Sequence, residues 1–174
     1  GVPKISDAAL AESDMSEQRK KYAAFMQALG TQGLPLNLDA WDGYPACRER
    51  IAQMLADTKA NTVALAGDTH NAWAFDLSDS KQRPIGVEVG TPGISSPGME
   101  NYLPVPAEEL AQALKDASPG LVDVDTSRRG WSEITLTPQD MRNQWHFVST
   151  VLDRRFDVQS SPEMVCLVGE RRFS

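Results

Sequence analysis

The chain of 174 residues is poor in positive charge, in cysteine and in long apolar segments. Its 17 lysines and arginines face 24 aspartates and glutamates, and the net charge of −7 argues against a nucleic-acid-binding surface, which needs a basic stripe. Apolar runs such as Thr62–Ala66 are far shorter than the roughly 20 residues of a bilayer-spanning helix. These absences predict a globular protein, and its length suits a single domain over residues 1–174.

The cysteines and the start of the chain say little about the compartment. Cys47 and Cys166 lie far apart and form no Cys-x-x-Cys pair. They are either one disulfide or two thiols buried as small apolar side chains, and the second reading is favoured. No signal peptide is visible and the chain begins with Gly1, so the sequence leaves the localisation open.

The spacing of apolar residues predicts an α/β fold. Helices are indicated by apolar residues three and four apart, and strands by short apolar or alternating runs between turn formers. The predicted helices are 6–29, 45–57 and 107–117, and the predicted strands are 61–66, 73–77, 85–89, 121–125, 131–137, 142–152 and 164–169. Helix–strand units followed by antiparallel strands predict a layered α/β sandwich, with residues 1–35 as a helical lead-in.

The segment after the strand at 61–66 is the most informative one. Asp68 and His70 follow Gly67 at the carboxyl end of this strand, where open α/β sheets bind their ligands. Side chains two apart in an extended segment point the same way, so the pair is expected to converge on one metal or on two adjacent metals. Carboxylate and imidazole suit iron, manganese or zinc. On these residues alone, a turn-capping aspartate and a histidine without a ligand remain the alternative.

A second candidate segment precedes the helix predicted at 45–57. Trp41 and Tyr44 flank an Asp-Gly pair, so they could form the walls of a pocket and offer the Tyr44 phenol and the Asp42 carboxylate to a substrate. The alternative is that both aromatic rings are core side chains beneath a tight turn.

The second histidine of the chain offers a different class of site. His146 lies in the strand predicted at 142–152. Together with Asp68 and His70 it would make the two-histidine, one-carboxylate set of a non-haem iron oxygenase. The order Asp-x-His is the reverse of the usual His-x-Asp in such sites.

Four stretches resemble a known family in the right order. The run Asn37-Leu-Asp-Ala-Trp-Asp-Gly-Tyr-Pro45, followed by Val63-Ala-Leu-Ala-Gly-Asp-Thr-His70, resembles the alkaline phosphatase D (PhoD-like) metallophosphatases. The stretches 88–97 and 127–138 fit the same family. The four stretches follow in order and are spread over most of residues 37–151, which makes the resemblance specific.

The resemblance implies a fold, an activity and a set of site residues. The fold would be the two-sheet sandwich of the calcineurin-like metallophosphoesterases, and the activity that of an often exported (periplasmic or secreted) alkaline phosphatase or phosphodiesterase. A metal-activated hydroxide would attack phosphorus at a site with iron and calcium, or with zinc or manganese. By resemblance Asp68 and His70 bind metal, while Trp41, Asp42, Tyr44 and Asn71 lie beside the pocket and contact the substrate or support the ligands.

The chain also departs from the family. Such enzymes take most of their metal ligands from strands of an N-terminal half, whereas the region before Trp41 reads as one polar helix. We therefore expect the C-terminal part of the fold, part of the active site and weak or absent activity of this chain alone. A missing N-terminal half would leave strand edges exposed to self-association. A non-catalytic binding module that uses the proline-rich loop at 91–106 is the alternative.

Overall fold

The computed structural model describes residues 16–17, 20–21, 24, 28, 39–103 and 105–174. Most of the helix predicted at 6–29 lies outside them. The helices of the remaining chain are α1 (Pro45–Thr58) and α2 (Ala107–Ala117), besides short 3-10 helices at Trp41–Gly43 and Met99–Asn101. The strands are β1 (Thr62–Ala66), β2 (Ala72–Ser78), β3 (Pro84–Gly90), β4 (Leu121–Asp125), β5 (Arg129–Leu136), β6 (Asp140–Val148), β7 (Val158–Ser160) and β8 (Met164–Leu167).

The first sheet positions the candidate site. Its strand order is β1-β3-β2-β4, with β1 parallel to β3 and the other pairs antiparallel. Ala66 and Gly90 are register partners, so β1 and β3 end at the same edge of the sheet. The loops at 67–71 and 91–98 therefore leave this edge together, and the amide of Thr91 donates to the carbonyl of Ala66 at 3.0 Å.

The second sheet packs face to face on the first. It is antiparallel, in the order β5-β6-β7, and β8 pairs with the beginning of β6. Alternate residues of β6 point into the space between the sheets, which is the usual outcome of the two-residue period of a strand. The shared core consists of Ala72, Ala74, Val87 and Val89 from the first sheet and Met141, Trp145, Phe147 and Cys166 from the second.

Both helices lie on the other face of the first sheet. Leu110 and Leu114 of α2 pack on Leu121 and Val124, and two alanines of α1 pack near Ile85. Helices, first sheet and second sheet thus form three layers, which confirms the predicted layered α/β sandwich. No helix in the described ranges has both the length and the apolar character needed to cross a membrane.

Local departures from the predictions have physical causes. The strand predicted at 142–152 ends at Val148, because the amide of Ser149 bonds to the carbonyl of Asp157 and the chain turns back. The returning segment forms β7, which the sequence did not predict because turn-forming residues lie around Ser160. Both cysteines are free, so the disulfide is not formed. Burial is confirmed for Cys166 but wrong for Cys47, which lies on an exposed side of α1.

Candidate functional site

The turn after β1 reverses the chain instead of extending it. The amide of Thr69 donates to the carbonyl of Gly67 at 2.8 Å, across Asp68. Asp68 and His70 have φ values of 69° and 62°, in the left-handed region that non-glycine residues rarely adopt. The expectation that the two side chains follow an extended segment is therefore wrong. A backbone of this kind has to be held by the surrounding structure, and it occurs at functional sites as well as in ordinary turns such as that of Gln82.

His70 is held by the neighbouring loop through its ring and its backbone. Nδ1 lies 2.9 Å from the carbonyl oxygen of Pro97, and the carbonyl of His70 accepts from the amide of Gly93 at 3.1 Å. A carbonyl oxygen only accepts, so we assign the proton to Nδ1. The neutral ring in this tautomer leaves the lone pair of Nε2 available, as histidine metal ligands require.

Asp68 differs from its neighbour in having no partner. Its side chain is exposed and makes no hydrogen bond or ion pair with any residue of the described ranges. An aspartate that capped its own turn would accept from a nearby amide. The turn-capping alternative is therefore not what the structure shows, and the carboxylate is free to bind a ligand.

A partly buried polar cluster lies beside His70. Asn71 is 1% exposed, and its Oδ1 accepts from the amide of Met99 at 3.3 Å. Glu100 forms an ion pair with Arg129, whose exposure is only 8%. A Cβ added to Gly98 would lie 2.4 Å from Nδ2 of Asn71, 2.8 Å from Oε2 of Glu100 and 3.2 Å from Nη1 of Arg129. A side chain at this position would therefore have to displace the ends of these three side chains.

Glu100 and Arg129 were missed by the sequence reasoning. They are 29 residues apart, and neither forms a motif with His70 along the chain. The signal that was present is the resemblance of the stretches 88–97 and 127–138, which flank or include them. It marked the segments without showing which side chains meet.

The Trp41–Tyr44 segment forms a 3-10 turn before α1. Trp41 is 56% exposed and Tyr44 is 59% exposed, so the alternative that they are core side chains is wrong. Asp42 forms an ion pair with Arg48 of α1. Burial and, second, the charge of Asp42 raise the pKa of Glu88 on β3. Asp42 is thus linked electrostatically to the strand that ends beside the 67–71 turn, although no hydrogen bond joins the two segments among the described residues.

The three-ligand oxygenase site is not assembled. His146 alternates with the buried Trp145 and Phe147 and therefore lies on the face of the second sheet that points away from the first. Its Nδ1 bonds to Oγ of Ser160 at 2.8 Å, and its Nε2 to Oε2 of Glu133 at 3.1 Å. Across residues 39–103 and 105–174, no three His, Cys, Asp or Glu side chains are grouped so that they could hold a metal. Asp68 and His70 supply the right donor types but too few of them.

The architecture is that of a two-sheet α/β sandwich with its polar turn at the carboxyl end of a parallel strand pair. A model of the PhoD-like phosphatase family matches residues 7–145. The chain belongs to this family.

Individual relatives agree with the family assignment. The chain is 36% identical over 75 residues to alkaline phosphatase D of Bacillus subtilis (strain 168), an alignment that covers 40% of this chain and 13% of that protein. A solved structure titled "Structure of PhoD" has the same fold, with a TM-score of 0.61 and 22% identity over 78% of this chain. The match spans only 26% of that structure, so the fold seen here is a partial phosphoesterase-type sandwich.

Proposed function

We propose that this protein contributes to a metal-dependent hydrolase of phosphate mono- or diesters, with Asp68 and His70 as two of its metal ligands. Membership of the PhoD-like phosphatase family supports the reaction class. The observation that carries the assignment is the 2.9 Å contact between Nδ1 of His70 and the carbonyl of Pro97, because it presents Nε2 to a ligand. The chain spans a small share of its relatives' length, and the phosphatase activity of those longer proteins is therefore only proposed for it.

The donor set fits the metals only in part. A carboxylate suits iron and calcium, and an imidazole suits iron, zinc or manganese. A catalytic metal site usually has at least three protein ligands. The remaining ligands would come from an N-terminal half or from a second copy of the chain. A bound metal would supply charge stabilisation to the phosphoryl oxygens and lower the pKa of water.

The residues of this chain have separate tasks in that site. Asp68 provides negative charge beside the cation, and His70 provides a nitrogen whose direction the Pro97 carbonyl fixes. The exposed rings of Trp41 and Tyr44 offer an apolar surface and a phenol to the alcohol portion of a substrate. Asn71 accepts from the amide of Met99 and thereby fastens the loop beside His70.

Partners and localisation follow as part of the same proposal. β1 lies at the end of the strand order and pairs only with β3 among the described strands, and its Leu65 is 68% exposed. Such an edge pairs readily with another strand. We propose that the N-terminal half or a second copy covers it, that the protein is exported, and that nucleic acid is not a partner.

The two histidines allow a matched test. Binding of Zn²⁺ and Mn²⁺ would be measured by calorimetry for the wild type, His70→Ala and His146→Ala. We expect His70→Ala to weaken binding at least about tenfold and His146→Ala to leave it unchanged, because His146 lies on the other sheet. Equal affinity in all three proteins would contradict the proposal. Parallel assays with p-nitrophenyl phosphate and its bis ester would show whether the chain turns over mono- or diesters.

A non-catalytic binding module is the second candidate. The lack of a complete metal-binding group in the described ranges favours it. It predicts that Asp68→Ala and His70→Ala together leave the fold and every binding reaction unchanged. Loss of metal binding in that double variant would exclude it.

A further inference from the structure

We propose that Arg129 and Glu100 are positioning residues that set the orientation of the His70 ring through the peptide group between Pro97 and Gly98. The inference rests on the proposed role of His70 as a metal ligand. It adds two residues that belong to neither the predicted ligands nor the predicted pocket.

The first step toward His70 is the ion pair between the buried Arg129 and the partly exposed Glu100. Arg129 opens β5 and is 8% exposed, and its Nη2 donates to Oε1 of Glu100 while its Nη1 donates to the carbonyl of Arg128 at 3.0 Å. A buried guanidinium is costly unless its charge and its N–H groups are paired. Glu100 is therefore the group that makes the burial of Arg129 tolerable, and the two side chains hold each other in place.

The second step passes through one peptide group. Oε1 of Glu100 also accepts from the amide of Gly98 at 3.2 Å, and the carbonyl of the same peptide, that of Pro97, accepts from Nδ1 of His70 at 2.9 Å. A peptide group is planar, so the direction of its N–H fixes the direction of its C=O. Holding Gly98 N–H on Glu100 therefore aims the Pro97 carbonyl at the imidazole.

Two further features tighten the arrangement. A Cβ at Gly98 would displace the ends of the Asn71, Glu100 and Arg129 side chains, so the glycine lets these groups close around the peptide. A parallel chain of backbone bonds starts at the residue after Arg129: the amide of Gly130 donates to the carbonyl of Gly93 at 3.1 Å, and the amide of Gly93 donates to the carbonyl of His70. The ring and the backbone of His70 are thus both tied to the beginning of β5.

Loss of the ion pair has a defined consequence. Without Glu100, the Gly98 amide loses its acceptor and the peptide is free to rotate. The Pro97 carbonyl then no longer selects the Nδ1–H tautomer, and the ring spends part of its time with the proton on Nε2, which leaves that nitrogen no lone pair for a metal. Supporting groups of this kind typically change metal affinity 10- to 100-fold.

The test reads the tautomer and the affinity separately. Long-range ¹H–¹⁵N spectra in alkaline buffer would be recorded for the wild type, Glu100→Gln, Glu100→Ala and Arg129→Lys, with His146 as the internal reference. We expect the Nδ1–H tautomer of His70 in the wild type, a mixture in Glu100→Ala, and an unchanged His146. Zn²⁺ affinity should fall about tenfold or more in Glu100→Ala and less in Glu100→Gln, whose amide oxygen can still accept from Gly98.

Contradictory outcomes are distinct. An unchanged His70 tautomer in folded Glu100→Ala would overturn the positioning role, whether or not Zn²⁺ affinity is lost. A changed tautomer with Zn²⁺ binding that is insensitive to His70→Ala would leave the positioning role standing and overturn the metal-ligand role instead. Amide spectra of each variant establish that it is folded, and Glu100 variants are the safer choice because that side chain is 34% exposed.

Discussion

Two aspartates sit in turns at opposite edges of the first sheet, and they are bonded in opposite ways. Asp79, between β2 and β3, is 2% exposed and accepts from the amides of Lys81 and Arg83 and from Nε of Arg83 at 2.6 Å. Asp68, after β1, is exposed, has a φ of 69° and bonds to no described residue. The first carboxylate stabilises its own turn, whereas the second sits on a strained backbone and accepts no hydrogen bond from a described residue, as its proposed role as a metal ligand requires.

The electrostatics of Asp79 follow from its partners. Burial acts to raise its pKa, but the amide and guanidinium of Arg83, with the amide of Lys81, more than offset burial and hold the pKa below its ordinary value of 3.8. A group whose pKa is lower in the folded than in the unfolded chain stabilises the fold above that ordinary value. The contribution is lost as the pH falls through the folded-state pKa.

The largest expected effect of the difference between the two aspartates is on thermal stability. Asp79→Ala removes the acceptor of two amides and a guanidinium, so we expect the Tm to fall by roughly 5–10 °C, whereas Asp68→Ala should change it by no more than about 2 °C. Calorimetry or circular dichroism at pH 7 measures both. Losses of equal size would show that the two turns do not differ in the way their hydrogen bonds indicate.

The pH dependence sharpens the same contrast. The gap in Tm between the wild type and Asp79→Asn should be widest at neutral pH. It should begin to narrow only below the ordinary pKa of 3.8 and close as the pH falls through the lower folded-state pKa, where the wild-type carboxylate is protonated and loses its charge-dependent bonds. Melting curves over a pH series would show it. A gap that stays constant down to acid pH would mean that the variant acts through packing and not through charge.

The sequence predicted the helices and strands better than the contacts between side chains that lie far apart along the chain. Turn-forming residues mark both ends of α2 and of β4, and both elements were predicted with their observed first and last residues. The positive φ of Asp68 has no periodic signature, because it is a property of one residue inside one turn. Glu100 and Arg129 meet only after the loop following β3 and the start of β5 are brought together by the two sheets. The Trp41–Tyr44 aromatics lie at the surface although their type favours a core.

A smaller effect isolates the strain in the Asp68 turn. Asp68→Gly removes a Cβ from a left-handed position, and after the entropy cost of glycine we expect the free energy of unfolding to rise by about 0.5–1 kcal/mol. Asp68→Ala keeps the Cβ and should give no such gain. Urea denaturation of the two variants is the measurement. A glycine variant no more stable than the alanine variant would show that the turn is not strained.

The smallest expected effect concerns Glu88, which lies on β3 two residues before its end and hence toward the Asp68 edge of the sheet. Burial, and second the charge of Asp42, raise its pKa above the ordinary value of 4.5. The folded chain then holds this proton to higher pH than the unfolded chain, so stability declines as the pH rises through that interval and the loss is complete above it. Glu88→Gln should therefore raise the Tm by a few degrees at pH 8 and by nothing below about pH 4.

Asp42→Asn provides the matched control for Glu88. It removes the second cause of the raised pKa but leaves the burial, so its gain at pH 8 should be smaller than that of Glu88→Gln. The lost ion pair with Arg48 subtracts little, because exposed pairs contribute at most about 1 kcal/mol. A Tm at pH 8 that falls in Glu88→Gln would mean that the carboxylate is favourably bonded. Glu88 would then resemble Asp79, although it lies toward the same end of the sheet as Asp68. The contrast between a bonded carboxylate at one end of the sheet and an unbonded one at the other would not extend to Glu88.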